Sequence, residues 1–500
     1  MKVDVVVVGS GITGLTAGAL LAGRGKRVAI LEKQKYFGGA IRQFRRKQIA
    51  YDVGFHYTGC LGEGDILDLL WRACDVRDRI SVERVPEHVY DRFEFNGYEG
   101  CVRGYFNYDQ LEGELAARFP SERQGLQTYF QTIQAICSQV PFYNTELSLT
   151  PFLRGYKSRP QSLVRFLNQN IRDERLRGVL GAPAFLYGVP IAQCALEKHA
   201  LVAHGYYDGA YTLAGGGQAV VDAFTESLGL LGTEMIYDCE ATSIHLENGR
   251  VAGVDTADGE RIHCEDVIFT GHPAKLLPLV PPSAFRPAYR SRLQGLKNSL
   301  SMFALFGRSE QALEDHGDGL NYYLLPGEGE VLPEEANTPH KQRPMMLTAT
   351  SRPSGETLRS KSNGIILLRL GYWQDVEHFD SGHSGKRRKG YESFKQEVAA
   401  EMIETAEQRW GDLTGRIEQI AVGTPLTFRD ELAAPGGCAY GAMHCLNQFN
   451  PEVRTRVPGL YLCGQSTLMT GVVGASISGL VGAGEILGLE PFWESLRTCN

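Results

Sequence analysis

The chain has no CxxC pair. Its eleven cysteines are scattered singly from Cys60 to Cys499. Isolated cysteines in odd number predict free thiols in a reducing compartment, and no zinc site. No apolar run reaches the roughly 18 residues that a membrane span requires. The longest weakly polar stretch, Gly471–Gly484, is followed by Glu485 and reads as a buried helix. The opening residues MKVDVVVVG run straight into a strand pattern, so no signal peptide is expected. Positive charge is not in excess either. A formal net charge of -7 argues against a nucleic-acid partner, which needs a broad basic face. No internal repeat and no low-complexity linker interrupts the sequence. These absences leave a soluble, cytoplasmic globular protein, and 500 residues predict two or three structural units rather than one core.

Glycine, by contrast, is plentiful. Its 58 residues exceed the usual share of roughly 7%, and many fall in clusters at Gly9–Gly14, Gly215–Gly217 and Gly471–Gly484. Clusters of this kind suggest backbone brought close to a ligand. Two basic runs also stand out. Arg154, Lys157, Arg159, Arg165, Arg172, Arg175 and Arg177 are interleaved with Phe152, Tyr156, Leu163, Phe166 and Leu167, and Lys386 to Lys389 form the second run. A solvated face is the ordinary reading of both. For the first run the sharper reading is peripheral contact with anionic lipid head groups.

The strongest motif lies at the start. Val5–Val8 is an all-apolar run of β-branched residues, as in a strand buried on both faces of a parallel sheet. Gly9-x-Gly11-x-x-Gly14 follows at once, then a helical pattern, then a second strand ending on Glu32. Gly9 permits the tight turn, Gly11 lets backbone approach a pyrophosphate, and Gly14 lets the helix lie against the strand. The helix N-terminus presents free N–H groups to phosphate, with Ser10 and Thr13 beside it. Glu32 sits where a carboxylate accepts from ribose hydroxyls, with Lys33 next to it.

Further on, Gly38-Gly39-Ala40 and Asp52-Val53-Gly54-Phe55 resemble the extended motif of FAD enzymes of the amine oxidase and phytoene desaturase superfamily. Those enzymes carry Arg after the glycine pair; here Ala40 stands there and Arg42 is the nearest arginine. Residues from about Leu70 to Leu201 read as mainly helical. Gly215-Gly216-Gly217 opens a helix through Leu231. A meander of Glu240–Leu246, Val251–Thr256 and Arg261–Cys264 follows, with Asn-Gly and Asp-Gly turns between its strands. Val267–Phe269 reads as a buried strand. Strands are expected at Ser301–Phe306, Met345–Thr348 and Gly364–Leu370, and a helix from about Tyr391 to Gln408. Gly459 to Gln465 closes as a strand ending in glycine before a helix from about Gly474 to Leu487. The architecture expected is α/β: a discontinuous Rossmann-type FAD-binding domain (residues 1–75, 205–275 and 420–500) with an inserted mixed α+β substrate domain (76–204 and 276–419). No second GxGxxG follows a strand, so no nicotinamide domain is expected.

The C-terminal third resembles the retinol saturase and carotenoid isomerase branch of the phytoene desaturase superfamily. The resemblance is carried by Thr424-Pro425-Leu426-Thr427, Leu432-Ala433-Ala434-Pro435, Tyr440-Gly441-x-x-His444 and Gly459 to Gln465. Leu186 to Pro190, His199 to Val202, Asp208 to Tyr211 and Asp52 to Tyr57 agree in order. The resemblance implies an FAD enzyme acting on a carbon–carbon double bond of a lipophilic polyene or isoprenoid, as saturase, desaturase or isomerase. Two departures are visible. Ala40-Ile41-Arg42 replaces a cysteine-rich segment, and Gly464-Gln465-Ser466 replaces Gly-Gln-Asp.

The cofactor-binding residues expected are Gly9, Ser10, Gly11, Thr13, Gly14, Glu32, Lys33, Gly39, Ala40, Gly54, Phe55, Ala241, Gly464, Gln465, Val473, Gly474 and Ser476. The last three belong to a strand–helix turn at Thr470–Ser476 whose helix dipole favours the negative charge of reduced flavin. Hydride transfer to one alkene carbon requires a proton at its neighbour, and the titratable candidates are His56, Tyr57, Tyr440 and His444. Each has a structural alternative as a packed, hydrogen-bonded side chain, and for His199 and His204 that alternative is preferred. His245 and His263 are assigned to the meander surface. An amine or porphyrinogen oxidase is the competing enzyme reading. A lipid-binding carrier of the same fold, related to the prenyl-binding Rab escort proteins, is the competing reading of another class.

Overall fold

Val5–Val8 is the middle strand of a five-stranded parallel sheet, ordered Leu460–Leu462, Asp266–Phe269, Val5–Val8, Val28–Leu31 and Glu234–Ile236. The computed structural model describes residues 1–155, 160–309, 319–327, 333, 338–351 and 363–498. The pleat alternates side chains between two covers. Val5, Val7, Val28, Ile30 and Ile268 meet the helices Ile12–Ala22, Gly216–Leu230 and Gly471–Leu487. Val6, Ala29, Leu31 and Val267 meet the meander Ala241–Glu247, Arg250–Thr256 and Arg261–His263. Double burial explains the continuous apolar runs.

Two of the helices govern the site. Thr13 Oγ1 donates to the Ala475 carbonyl at 2.9 Å, and Gly479 backs onto Thr13 and Thr16 so closely that a Cβ would stand 2.6 Å from the Thr13 oxygen. Ile12–Ala22 and Gly471–Leu487 therefore run side by side in the same direction, with both N-termini at one edge of the sheet. The second helix starts at Gly471, three residues before the expected Gly474. Val473, Gly474 and Ser476 thus lie inside its first turns rather than in a preceding loop. Thr470 has extended backbone and caps it without a side-chain bond, so no strong start signal marked the boundary. After Leu487 the chain bends by 120° into Leu489–Thr498. Among the described residues no single helix is long and apolar enough to cross a membrane.

The second unit is a seven-stranded mixed sheet, ordered Ile417–Gly423, Ser301–Ser309, Gly364–Gly371, Met345–Ala349, Gly319–Leu325, Tyr90–Phe95 and Val102–Tyr105. Met302, Tyr323, Met346 and Leu370 face a helical layer between Tyr108 and Tyr207. Phe303, Leu305, Leu347 and Leu367 face the Tyr391–Arg409 helix. Two expectations are corrected. Residues 70–201 are mainly helical as expected, but the range also holds three strands that the sequence did not announce, Val82–Arg84, Tyr90–Phe95 and Val102–Tyr105. Two expected domain boundaries fall inside elements: 204/205 cuts the Leu196–Tyr207 helix, and 419/420 cuts the Ile417–Gly423 strand, which pairs with Ser301–Ser309.

The first basic run is also revised. Leu163, Phe166 and Leu167 are buried in the helical layer and Phe152 packs inward, so these apolar side chains do not face out. Tyr156, Lys157 and Arg159 lie outside the described residues. Of the second run, Arg387 pairs with Asp430 at 2.7 Å, while Lys386, Arg388 and Lys389 are solvated. Every described cysteine is a free thiol.

Candidate active site

The turn after Val8 is built for close approach. Gly9 has φ +103, and a Cβ on Gly14 would overlap the Gly9 carbonyl oxygen, so only glycine lets the first helix settle onto the turn. Around Gly11, in contrast, nothing lies within 4 Å of where a Cβ would point. Gly11 caps the first helix with no side-chain bond and no acidic residue in the first turn. Its N–H groups are therefore left for a ligand, at the positive end of the helix dipole.

The second glycine pair is tied to this turn. Gly38 N–H donates to the Ser10 carbonyl at 3.0 Å, and a Cβ on Gly39 would stand 3.3 Å from Gly11 Cα. Gly54 approaches the Ala40 carbonyl, and Phe55 packs against Gly217. Glu32 is buried; its Oε2 accepts from Ser10 N–H at 3.0 Å and Ser10 Oγ–H at 2.6 Å, and its Oε1 accepts from Gln34 N–H at 2.9 Å. Ser10 and Thr13 thus spend their hydroxyls holding the cradle together. Lys33 is exposed at its rim, and Ala241 is buried at the start of the meander. Arg42 pairs with Glu431 at 3.1 Å and lies over the Tyr36 ring.

The Glu32 carboxylate links a strand end to the phosphate turn, so Glu32→Ala should weaken dinucleotide binding by about 1.5–3 kcal/mol, the range for hydrogen bonds to a charged group. Calorimetric titration of apoprotein with FAD measures this. An unchanged Kd would mean that the ribose is held elsewhere.

A second strand end completes the edge. Gly464 lies against Thr270, whose Oγ1 donates to the Val8 carbonyl at 2.9 Å. Gly464 N–H donates to Ser478 Oγ at 2.8 Å. Gln465 is fixed by its neighbours: His444 Nε2–H donates to its carbonyl at 2.7 Å, and Gly441 packs on its side chain. Burial and the nearby Lys198 ammonium push the His444 imidazole down to about 3, so it stays neutral. Lys198 donates to the Leu468 carbonyl at 3.1 Å, and burial lowers its pKa. Nothing in the sequence marked Lys198, because its importance depends on contact with residues 270 positions away. Thr270 and Ser478 were missed too. The signal available for Thr270 was its position directly after the Val267–Phe269 strand.

The four titratable candidates part company. Tyr440 is held through its N–H by Ser299 Oγ at 2.9 Å, and burial pushes its phenol up to about 12. Tyr57 turns its hydroxyl away from the glycine turn, donating to Asp91 Oδ2 at 3.0 Å, with Tyr323 Oη 3.3 Å away. His56 keeps a buried Nδ1 with no hydrogen-bond partner among the described residues; burial lowers its pKa, against the pull of nearby Asp52. His444 Nδ1 and Ser476 Oγ are orphaned in the same way. His199 and His204 are packed side chains: His199 lies between Tyr129 and Tyr187, and His204 meets Tyr108.

Beside Tyr57 lies a small cavity of about 40 Å³. Its wall is mostly apolar and aromatic, with Phe93, Phe106, Leu180, Tyr206 and Tyr323, and Tyr206 and Tyr323 are within electrostatic reach of Tyr440. Open space at Gly11, two uncapped helix N-termini at one sheet edge, and orphaned polar atoms at His56 and Ser476 together fit a dinucleotide cofactor bearing a ring system.

Comparison with known proteins agrees with this geometry. Residues 12–358 match the family described as flavin containing amine oxidoreductase. The chain is 27% identical to the all-trans-retinol 13,14-reductase of Macaca fascicularis, over 97% of this chain and 86% of that protein. It is 25% identical to the chloroplastic prolycopene isomerase of Arabidopsis thaliana, over 97% of this chain and 83% of that protein. Among solved structures, an oxidoreductase from Methanosarcina mazei superposes with a TM-score of 0.64 at 16% identity, covering 97% of this chain and all of that one. A putrescine oxidase with putrescine bound also reaches 0.64, at 13% identity, covering 97% and 99%. Likeness at this level of identity establishes the fold.

Proposed function

The chain belongs to the flavin containing amine oxidoreductase family, and from that membership we propose that its substrate is a lipophilic polyene or isoprenoid carrying the carbon–carbon double bond to be changed. It is an FAD-dependent oxidoreductase of the retinol saturase and carotenoid isomerase branch. The observation that carries the proposal is the likeness, along 97% of the chain, to a retinol 13,14-reductase and a prolycopene isomerase, with a small, mostly apolar and aromatic cavity beside Tyr57 in keeping with it. Apolar and aromatic side chains of this kind favour a lipophilic group over a hydrated one by excluding water from it.

When bound, FAD supplies the hydride-transfer chemistry. The protein's own contributions follow from the geometry. The Gly9–Gly14 turn and Glu32 hold the dinucleotide, the Gly471–Leu487 helix presents its positive end, and the cavity orients the alkene. His56 holds a proton position at its unpartnered ring nitrogen. Entry of the substrate from the cytoplasmic face of a membrane belongs to the same proposal. It rests on Arg165 and Arg172, which stay exposed, since Phe152 and Leu163–Leu167 are not among the residues of the cavity wall.

The test begins with the spectrum of the purified protein, which should be that of a bound flavin. Anaerobic reduction followed by addition of an all-trans polyene should then restore the oxidised spectrum. Mass analysis of the product separates saturation, which adds two hydrogens, from isomerisation, which adds none. A colourless protein that still binds the polyene would make it a carrier and overturn the enzyme reading.

A further inference from the structure

Two thiols face each other across a short antiparallel pairing beside the site. Cys194 lies just before the Leu196–Tyr207 helix, Cys445 directly follows His444, and the two are paired residue to residue. Leu446 N–H donates to the Gln193 carbonyl at 2.9 Å, so the hydrogen bond falls between the residues that flank the pair. Cys194 and Cys445 therefore stand in the register without bonds of its own, where opposite Cα atoms come to about 4.5 Å and side chains share one face. That spacing lies at the short end of the roughly 4.4–6.8 Å that a disulfide spans. Both side chains belong to one packed cluster. Their access differs. Cys445 is partly exposed, whereas Cys194 is fully buried. Burial pushes the Cys194 thiol up to about 12; the Tyr187 hydroxyl, donating to its Sγ at 3.2 Å, opposes the rise, and nearby Cys445 adds to it. Cys60 and Cys137 also lie within electrostatic reach of each other, but both are buried, and Tyr143 is bonded to Cys60. That second pair offers no sulfur to solvent.

We propose that Cys194 and Cys445 are a site of reversible oxidation, closing to an intramolecular disulfide that clamps the inserted helical layer to the cofactor edge. The oxidant is a low-molecular-weight disulfide. Cys445 loses its proton to solvent, and its thiolate attacks one sulfur of the oxidant, whose S–S bond breaks and whose other half leaves as a thiolate. Cys194 then gives its proton to that thiolate, attacks the Cys445 sulfur and expels the second half, which takes a proton from solvent. Two protein thiols are oxidised to one disulfide, and the small disulfide is reduced to two thiols. Access sets this order, because the exposed thiol meets the oxidant and the buried one resolves the mixed disulfide. The Tyr187 hydroxyl steadies the Cys194 thiolate as it forms. The clamp acts on the cofactor edge from both ends. Lys198, on the helix that Cys194 precedes, donates to the Leu468 carbonyl, and His444, next to Cys445, donates to the Gln465 carbonyl. Both segments thus hold the Gln465–Leu468 turn that leads into the Gly471–Leu487 helix, and a bond between them fixes that grip. A bond closed at the short end of its range is strained and reopens readily.

The experiment equilibrates the FAD-loaded protein with glutathione buffers of rising oxidised share, then denatures it in a thiol-alkylating reagent and digests it. Mass analysis should find the peptides of Cys194 and Cys445 joined, two hydrogens lighter than their sum, and dithiothreitol should part them. The other described cysteines should be recovered alkylated. Cys194→Ser should leave Cys445 as a mixed disulfide with glutathione, and Cys445→Ser should leave Cys194 unmodified. Oxidation of the wild type should slow FAD release in dilute urea, followed by flavin fluorescence, by about threefold or more, since a cross-link makes local opening costlier. Cys445→Ser should show no such response. Absence of the joined peptides at the most oxidising ratio would overturn the site, and so would glutathione on Cys194 in Cys445→Ser. Joined peptides with an unchanged rate of FAD release would overturn the clamp. The decisive readings come from the wild type, so they do not depend on how either serine variant folds.

Discussion

Gly11→Val should yield a folded, colourless protein. The backbone at Gly11 has φ -62 and ψ 173, an extended conformation open to valine, and apart from its two chain neighbours no described residue comes within 4 Å of the position of an added Cβ. The substitution is therefore silent for the apoprotein. Its branched methyl groups fill the space beside the free N–H groups of the first helix, where the pyrophosphate must lie. Gly14→Ala makes the contrast, since its Cβ would overlap the Gly9 carbonyl oxygen and push the helix off the turn. That variant should lose structure as well as flavin. The ratio of flavin to protein absorbance, with far-ultraviolet circular dichroism, distinguishes the two. Gly11→Val should show native dichroism, no flavin band, and a lower Tm because the stabilisation from bound ligand is gone. A Gly11→Val protein with full flavin absorbance would refute this placement of the pyrophosphate.

The difference between these two glycines shows which parts of the site were legible in the sequence. The Gly9–Gly14 turn, the apolar strands and Glu32 are constrained by neighbours within one βαβ unit, so their spacing announces them. The Tyr90–Phe95 strand was hidden by its charges. Asp91, Arg92 and Glu94 interrupt any apolar alternation, yet Glu94 is buried by Arg409 and Trp410, and Asp91 by Asn321. Those partners lie 230 to 316 positions away, and no local pattern encodes them. The same holds for Lys198, which is a surface-type residue until Leu468 comes to meet it. Tyr57 was legible as a residue of the site, but not the direction of its hydroxyl. That direction was set by Asp91, on a strand the sequence concealed.

The larger chemical effect is expected from His56→Phe. Saturation of an alkene needs a proton at the carbon next to the one receiving hydride, and three of the four titratable candidates are poorly placed to give it. Tyr57 is engaged by Asp91 and Tyr323, Tyr440 has a phenol pushed up to about 12, and His444 spends its N–H on the Gln465 carbonyl with a pKa of about 3. His56 keeps a ring nitrogen with no partner among the described residues and lies near Asp52, whose charge opposes the lowering of its pKa by burial. Loss of a general acid typically costs about 10²–10⁴ in rate. His56→Phe should therefore bind FAD and accept electrons normally, then fail in the anaerobic stopped-flow step in which substrate restores the oxidised spectrum. The pH dependence carries a sign. Because burial holds the His56 pKa below the ordinary histidine value, the imidazole is mostly neutral at pH 7, and its protonated fraction grows as pH falls toward that pKa. The wild-type step should accordingly accelerate by up to about tenfold per pH unit on acidification, then level off once His56 is protonated. In His56→Phe the residual rate should lose that slope. A variant with the wild-type rate and slope would make His56 structural and pass the proton to ordered water.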